Sequence, residues 1–294
     1  MEASRGGRLA VTAQILDGKD LSRRLRDELK VRVEQLRRYH IVPRLDAIVA
    51  SQDPASLAYV KMKRRWAEAA GMLSESHLVD ETWTQSQLIE KIHQLNADPA
   101  VHAILLQHPL PRHLDEDMAL LALGPEKDAD GITPGSLGRL VADMPGFRCA
   151  TPYGIIRLLE HYGVHIQGKH AVVIGRSVIL GKPMALMLLQ KNATVTIAHS
   201  KSQDLPHICR GADILVAAVG RAELVKGDWI KPGAVVIDAG FNKVEGRSGD
   251  VGDVDFEAAA HVASWITPVP GGVGPMTVAT LLANAVAAAE RLLA

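Results

Sequence analysis

The chain has 294 residues, with 33 Lys and Arg against 33 Asp and Glu. It therefore carries no net field to draw in nucleic acid or an anionic membrane, and a small-molecule partner is expected instead. Apolar residues make up 47% and aromatic ones only 4%, which predicts a core of Val, Ile, Leu and Ala; at this length two domains are expected. Cys149 and Cys209 are far apart, outside any CxxC spacing. That argues against a disulfide framework or structural zinc, and fits a reducing, cytoplasmic setting with no metal. Met1 to Ala10 has arginines but no apolar leader core, so residues 1–13 read as a short flexible tail. No uninterrupted apolar run of about 18 residues suggests a membrane span.

Leu21, Leu25, Leu29 and Val33 repeat every four residues and predict a helix from Asp20 to about Tyr39. A short strand, Leu45–Ala50, follows Pro43. Asp53-Pro54-Ala55-Ser56 caps a helix running to about Ala70, with Gly71 as its stop. A strand near His77–Val79, a helix from Gln85 to about Leu95 and a strand Ala103–Gln107 continue an alternation that predicts a parallel α/β layer. Between Pro109 and Pro152, Pro, Gly and Asp accumulate, and this stretch reads as an active-site wall. A helix, Pro152–Tyr162, leads into a second α/β pattern. It comprises strand His170–Ile174, helix Met184–Lys191, strand Thr194–Ala198, and strands Ile214–Ala218 and Ala234–Asp238. A last apolar helix, about Val278–Leu293, should be buried.

Gly175-Arg-Ser-Val-Ile-Leu-Gly181-Lys-Pro183 follows a strand and opens a helix. Glycine lets backbone approach a pyrophosphate, and the helix N-terminus favours its charge. The pattern is GxSxxxGxP rather than GxGxxG, so a purely structural turn competes with this reading. After the next strand come His199-Ser200-Lys201, with no carboxylate for a ribose 2′-hydroxyl. Together with Arg176 this points to a 2′-phosphate and so to NADP, although Lys201 also reads as a solvated loop charge.

Ser56, Tyr59 and Lys63 are spaced i, i+3, i+7 and share one helix face. Tyr59 could stack on a flat heterocycle while Lys63 offers an amine; an amphipathic surface stripe is the competing reading. Gln107 ends an apolar strand, where α/β folds bind ligands. In Lys127-Asp-Ala-Asp-Gly131, Asp130 could accept from adjacent ring N–H and NH₂ donors, whereas Asp128 reads as a turn cap. Thr267-Pro-Val-Pro-Gly-Gly-Val-Gly-Pro-Met-Thr277 reads as a rigid ligand-facing loop.

Taken in order, Pro54-Ala-Ser-x-x-Tyr59-Val-x-x-Lys63, Gln107-x-Pro-Leu-Pro111, Lys127-Asp-x-Asp-Gly131, Gly175-Arg-Ser-x-Ile-x-Gly181-x-Pro183, Gly252-Asp-Val-Asp255 and the Thr267–Thr277 loop resemble the bifunctional methylenetetrahydrofolate dehydrogenase/cyclohydrolase family. The resemblance covers nearly the whole chain. It implies a folate-binding α/β domain (14–150, joined by the helix 278–294) facing a Rossmann-like NADP domain (151–277) across a cleft, commonly as a homodimer. The folate derivative is implied to lie on Tyr59, Val60, Lys61, Met62 and Lys63. Leu106, Gln107, His108 and Asp130 complete its floor, and Pro270, Gly271, Gly272 and Val273 close it in. NADP is implied on Gly175, Arg176, Ser177, Ser200 and Phe241.

The implied catalytic set is Lys63, Gln107, Asp130 and Tyr59. A hydride leaves the methylene carbon of 5,10-methylenetetrahydrofolate, and water then attacks the methenyl carbon with neutral Lys63 as general base. The chain departs from the family's usual residues at several points. His108 stands for Leu, Cys149-Ala-Thr-Pro152 for Pro-Cys-Thr-Pro, Ser136 for Asn and Phe241 for Ile; Val49-Ala-Ser51 replaces Val-Gly and an acidic residue or Asn. His108 either perturbs the Lys63–Gln107 pairing or only changes packing. A shikimate-type dehydrogenase would need neither the Tyr59/Lys63/Gln107 set nor the Thr267–Thr277 loop. A dehydrogenase with weak cyclohydrolase, or a non-catalytic relative, would be signalled by damage to that set.

Overall fold

The computed structural model describes residues 13–49, 54–80, 82–247 and 249–293. The chain divides into two compact units, residues 19–154 with 275–293 and residues 13–18 with 155–274. In chain order the elements begin with β1 (Gln14–Ile15), α1 (Gly18–Arg37), β2 (Arg44–Val49), α2 (Pro54–Ala69), β3 (Leu73–Leu78), α3 (Gln85–Ala97) and β4 (Ala103–Gln107). They continue with α4 (Glu116–Ala122), α5 (Pro134–Val141) and α6 (Ala150–His161). Next come β5 (His170–Ile174), α7 (Gly181–Gln190), β6 (Thr194–Ala198), α8 (Leu205–Arg210), β7 (Ile214–Ala217) and β8 (Val235–Asp238). The last are β9 (Asn242–Lys243), β10 (Asp250–Val251), α9 (Phe256–Ala260), β11 (Trp265–Ile266) and α10 (Val273–Glu290).

In the first unit three parallel strands are ordered β3-β2-β4. The Lys127–Ala129 backbone runs beside β4, with the Ile104 N–H on the Lys127 carbonyl and the Ala129 N–H on the Ile104 carbonyl. The leucine stripe of α1 is buried as its spacing predicts, and Leu29, Val33 and Leu36 share a core with Leu45, Leu105, Leu281, Leu282 and Val286. The α10 segment is long and apolar enough to cross a membrane by composition alone, yet its side chains fill this core, as expected of a helix apolar on every face.

The second unit holds a six-stranded parallel sheet, β1-β11-β8-β7-β5-β6. The uninterrupted buried runs of β7 and β8 suit a sheet covered on both faces. Val172, Ile174, Leu215, Val236 and Ile266 join one core there.

Some boundaries differ from the sequence reading. Residues 14–18 were assigned with the folate-binding domain, but β1 pairs with β11 in the six-stranded sheet; two residues are too short for strand periodicity to show. The stretch from Pro109 to Pro152 contains α4 and α5, opened by side-chain caps from Asp115 and Thr133. Each spans about two turns, too few for a periodic signal. Helix α10 begins at Val273 rather than Val278, with Pro275 in its first turn, where a missing N–H costs nothing. The strand near His77 is longer than expected, Leu73–Leu78. Ala50 and Asp53 lie outside the described residues.

Helix α10 is tied to the Lys127–Gly131 turn by Asn284, whose Nδ2 donates to the Ala129 carbonyl at 2.9 Å and the Arg148 carbonyl at 3.1 Å. Replacing Asn284 by Ala leaves two buried acceptors short of a donor. The expected outcome in a denaturant titration is a loss of about 1–3 kcal/mol of unfolding free energy; an unchanged midpoint would count against this tie.

Candidate active site

Helix α2 carries its buried positions at Val60, Lys63, Ala67 and Ala70, a single stripe at i, i+3, i+7 and i+10, while Lys61, Arg64 and Arg65 are exposed. Lys63, 6% exposed, thus lies on the apolar face of the helix. The alternative of a solvated amphipathic stripe does not hold for this residue. Its Nζ donates to Gln107 Oε1 at 3.1 Å, and Gln107 Nε2 donates to the His108 carbonyl at 2.9 Å. That pair of bonds fixes which end of the amide faces the amine. Gln107 is the last residue of β4 and Leu106 before it is buried, so the amide sits at the carboxyl edge of the parallel strands. Tyr59 falls within α2, but its side chain lies outside the described residues, as does that of Ser56.

Asp130 follows the backbone segment paired with β4. Its neighbour Asp128 is consumed by the turn, accepting the Gly131 N–H at 2.9 Å and the Thr133 N–H at 2.7 Å, as a turn cap should. No hydrogen bond reaches the Asp130 carboxylate among the described residues, so its acceptors remain available for a ligand. Burial holds the Lys63 amine below the ordinary lysine range, and the Asp130 charge opposes this. Burial likewise pushes the Asp130 carboxyl above the usual carboxylate range, against the pull of Lys63 and then His108. For each group low dielectric favours the neutral form and the other's charge favours the ionised one.

The His108 ring lies beside this set. Its Nδ1 is 2.9 Å from Glu116 Oε1, an ion-pair approach without hydrogen-bond alignment, while Glu116 Oε2 accepts the Leu110 N–H at 3.2 Å. Glu116 was not foreseen, being one of three consecutive acidic residues in a stretch with no visible period. Cys149 donates its thiol to the Gly131 carbonyl, and burial pushes its pKa upward, which rules out a thiolate nucleophile.

In the second unit Gly175 has φ +129° at the end of β5, and a Cβ there would run into the Ala218 carbonyl. Ser177 Oγ accepts the N–H groups of Leu180 and Gly181 at the start of α7. Arg176, Ser177 and Ser200 are exposed, as is Phe241 at 66%. Asp204, the first acidic residue past β6, caps α8 by accepting the His207 N–H. No carboxylate at the β6 end is therefore left to hold a 2′-hydroxyl, and the residues present fit a phosphorylated ribose. Pro270, Gly271, Gly272 and Val273 belong to this unit; a Cβ at Gly272 would overlap Thr267 and Pro268, so these residues form a tight turn.

A family profile described as the tetrahydrofolate dehydrogenase/cyclohydrolase catalytic domain matches residues 16–130, and its NAD(P)-binding counterpart matches residues 149–293. The bifunctional protein FolD 2 of Myxococcus xanthus is 57% identical over 283 residues, covering 96% of this chain and 97% of its own. The crystal structure of the bifunctional FolD enzyme of Campylobacter jejuni superposes with a TM-score of 0.93 at 42% identity, covering 95% of this chain and 99% of that one. A Trypanosoma brucei methylenetetrahydrofolate dehydrogenase-cyclohydrolase, solved with NADP cofactor and an inhibitor, gives 0.90 at 40% identity over 96% of this chain and 98% of that one.

Two outcomes follow from the charge balance around Lys63. Asp130→Asn removes the one anion that raises the Lys63 pKa, so the side-chain NMR titration of Lys63 is expected to move further below 10.5; an upward shift would contradict the pairing. Because the folded-state pKa is depressed, the unfolded chain binds the extra proton between that value and 10.5. The Lys63 contribution to stability therefore rises with pH through this window, and Lys63→Met should flatten that slope in denaturant titrations.

Proposed function

The chain belongs to the tetrahydrofolate dehydrogenase/cyclohydrolase family, and we propose that it oxidises 5,10-methylenetetrahydrofolate with NADP and hydrolyses the methenyl product to 10-formyltetrahydrofolate. The observation that carries this reading is Lys63, buried on the apolar stripe of α2 with its amine on Gln107 and facing the charge of Asp130. Asp130 accepts the paired N–H and NH₂ donors of the pterin, and Tyr59 lies against its ring. Bound NADP supplies an oxidised nicotinamide that accepts a hydride from the bridging methylene. A neutral Lys63 does not oppose the cation that forms on the folate, since its desolvation disfavours a second positive charge.

In the second step water adds to the methenyl carbon and Lys63 takes its proton as general base. Gln107 Oε1 holds one N–H of the amine, so the nitrogen lone pair has a defined direction. The carbon–nitrogen bond to N5 then breaks, N5 regains a proton and the formyl group remains on N10. Arg176 and Ser200 recognise the 2′-phosphate, and the Gly175 turn admits the pyrophosphate.

The chain works as a homodimer in the cytoplasm, supplying formyl groups for reactions such as purine synthesis. Support for self-association comes from β3, an edge strand whose Leu73 and Leu78 are 54% and 67% exposed. Free, buried Cys149 and Cys209 suit a reducing compartment.

Mixing protein, 5,10-methylenetetrahydrofolate and NADP should generate the absorbance of NADPH and of the methenyl product, the latter then decaying faster than without enzyme. Absent NADPH sinks the dehydrogenase half, and decay at the uncatalysed rate sinks the cyclohydrolase half. Lys63→Met should lose cyclohydrolase by roughly 10²-fold or more while still binding NADP. A Leu73→Glu/Leu78→Glu double variant should sediment as a monomer; sedimentation unchanged from a dimeric parent removes β3 from the interface.

A further inference from the structure

Two buried carboxylates in the second unit have no part in the chemistry above. Asp253, in the Gly252-Asp-Val-Asp255 segment, is 0% exposed, and Asp238, at the end of β8, is 3% exposed. Asp253 accepts the backbone N–H groups of Val219 at 2.6 Å, Gly220 at 3.0 Å and Arg221 at 2.9 Å, and the Asn242 amide at 2.9 Å. Asp238 accepts the N–H groups of Gly240, Asp253 and Val254, each at 2.9 Å, and its own N–H donates to Thr267 Oγ1 at 2.7 Å. A Cβ on Gly252 would overlap the Asp238 carboxylate, and one on Gly240 would overlap that of Asp253. The two glycines therefore leave the space that the carboxylates fill.

Burying two like charges is costly, and an apolar plug of the same volume would be cheaper. Burial and then the Asp253 charge raise the Asp238 pKa to about 6, against three backbone N–H groups that lower it. What the arrangement supplies is position. In the sheet, β5 lies between β6 and β7, so the order of winding reverses at the β5/β7 boundary. The crevice beyond the carboxyl ends of such strands is where open α/β sheets take their ligands. One wall is the turn from Gly175 to Ser177, which abuts the Ala218 carbonyl at the β7 end. The opposite wall is the Val219–Arg221 turn, and all three of its N–H groups are bound by Asp253. Asn242, next to Phe241, is held by the same carboxylate.

Resting on the reading that this unit binds NADP, we infer that Asp253 is a positioning residue of the dinucleotide site, fixing the Val219–Arg221 turn as its second wall, with Asp238 as its support. The test uses the full chain and fluorescence titration with NADPH. Asp253→Asn turns one acceptor into a donor facing N–H groups, and the NADPH Kd is expected to rise about tenfold or more. The KM for NADP should rise more than kcat falls, and hydrolysis of methenyltetrahydrofolate, which needs no dinucleotide, should be unchanged. A variant weakened only in general folding would lose both activities together. Asn242→Ala perturbs the same carboxylate from a partly exposed position and should raise the Kd about threefold; it decides the matter if Asp253→Asn does not fold. Unchanged NADPH affinity in a folded variant, beside a binding wild type, overturns the positioning role alone. A wild-type chain that binds no NADPH overturns both this role and the cofactor reading.

Discussion

An amine on the buried face of α2 is the constraint around which the first unit is arranged. A lysine placed between Val60 and Ala67 loses hydration that no apolar neighbour restores, so its proton becomes negotiable. Gln107 meets that loss with a neutral acceptor, which holds the amine without restoring its charge. Asp130 meets it with a charge that is itself short of hydration and hydrogen bonds. An exposed lysine would stay protonated at neutral pH, and a fully apolar pocket would leave the amine without direction. The combination gives a directed base whose charge state depends on a few side chains.

Both units derive their sites from the same property of parallel strands. Residues at the carboxyl edge, Gln107 in one sheet and the Gly175 and Val219–Arg221 turns in the other, are presented by backbone that is already fully hydrogen-bonded. Where a polar atom must be buried to shape such an edge, the sequence supplies side-chain acceptors for main-chain N–H groups. Asp128 serves the Gly131 and Thr133 N–H groups, and Asp253 serves the Val219–Arg221 turn. In each case one aspartate of an Asp-x-Asp pair carries the turn. The other is released for a different task, ligand recognition at Asp130 and capping of α9 at Asp255.

Much of this was legible in the sequence because the relevant signals are local. The leucine repeat of α1, the strand–glycine–helix order at Gly175 and the spacing of Lys63 on α2 each lie within one or two turns of chain. Features set by distant pairing were not legible. The two-residue β1 joins a strand some 250 residues away, α4 and α5 depend on single capping side chains, and Glu116 gains its meaning only when His108 is brought beside it. The early start of α10 was hidden for another reason. Pro and Gly normally break helices, but Pro275 falls in the first turn, where the penalty vanishes.

The departures from the usual family residues sort by what they touch. Ser136 is buried within the cap of α5, its N–H and hydroxyl both engaged by Thr133. Cys149 spends its thiol on the Gly131 carbonyl. These two changes alter how the Asp130 turn is supported without altering what Asp130 presents. His108 is closer to the chemistry, yet its side chain turns to Glu116 while its backbone carbonyl, which any residue would provide, holds Gln107. The contact that orients the amine is thus independent of the side chain at position 108. A substitution beside a catalytic amide need not disturb the reaction when the neighbouring residue contributes through its main chain.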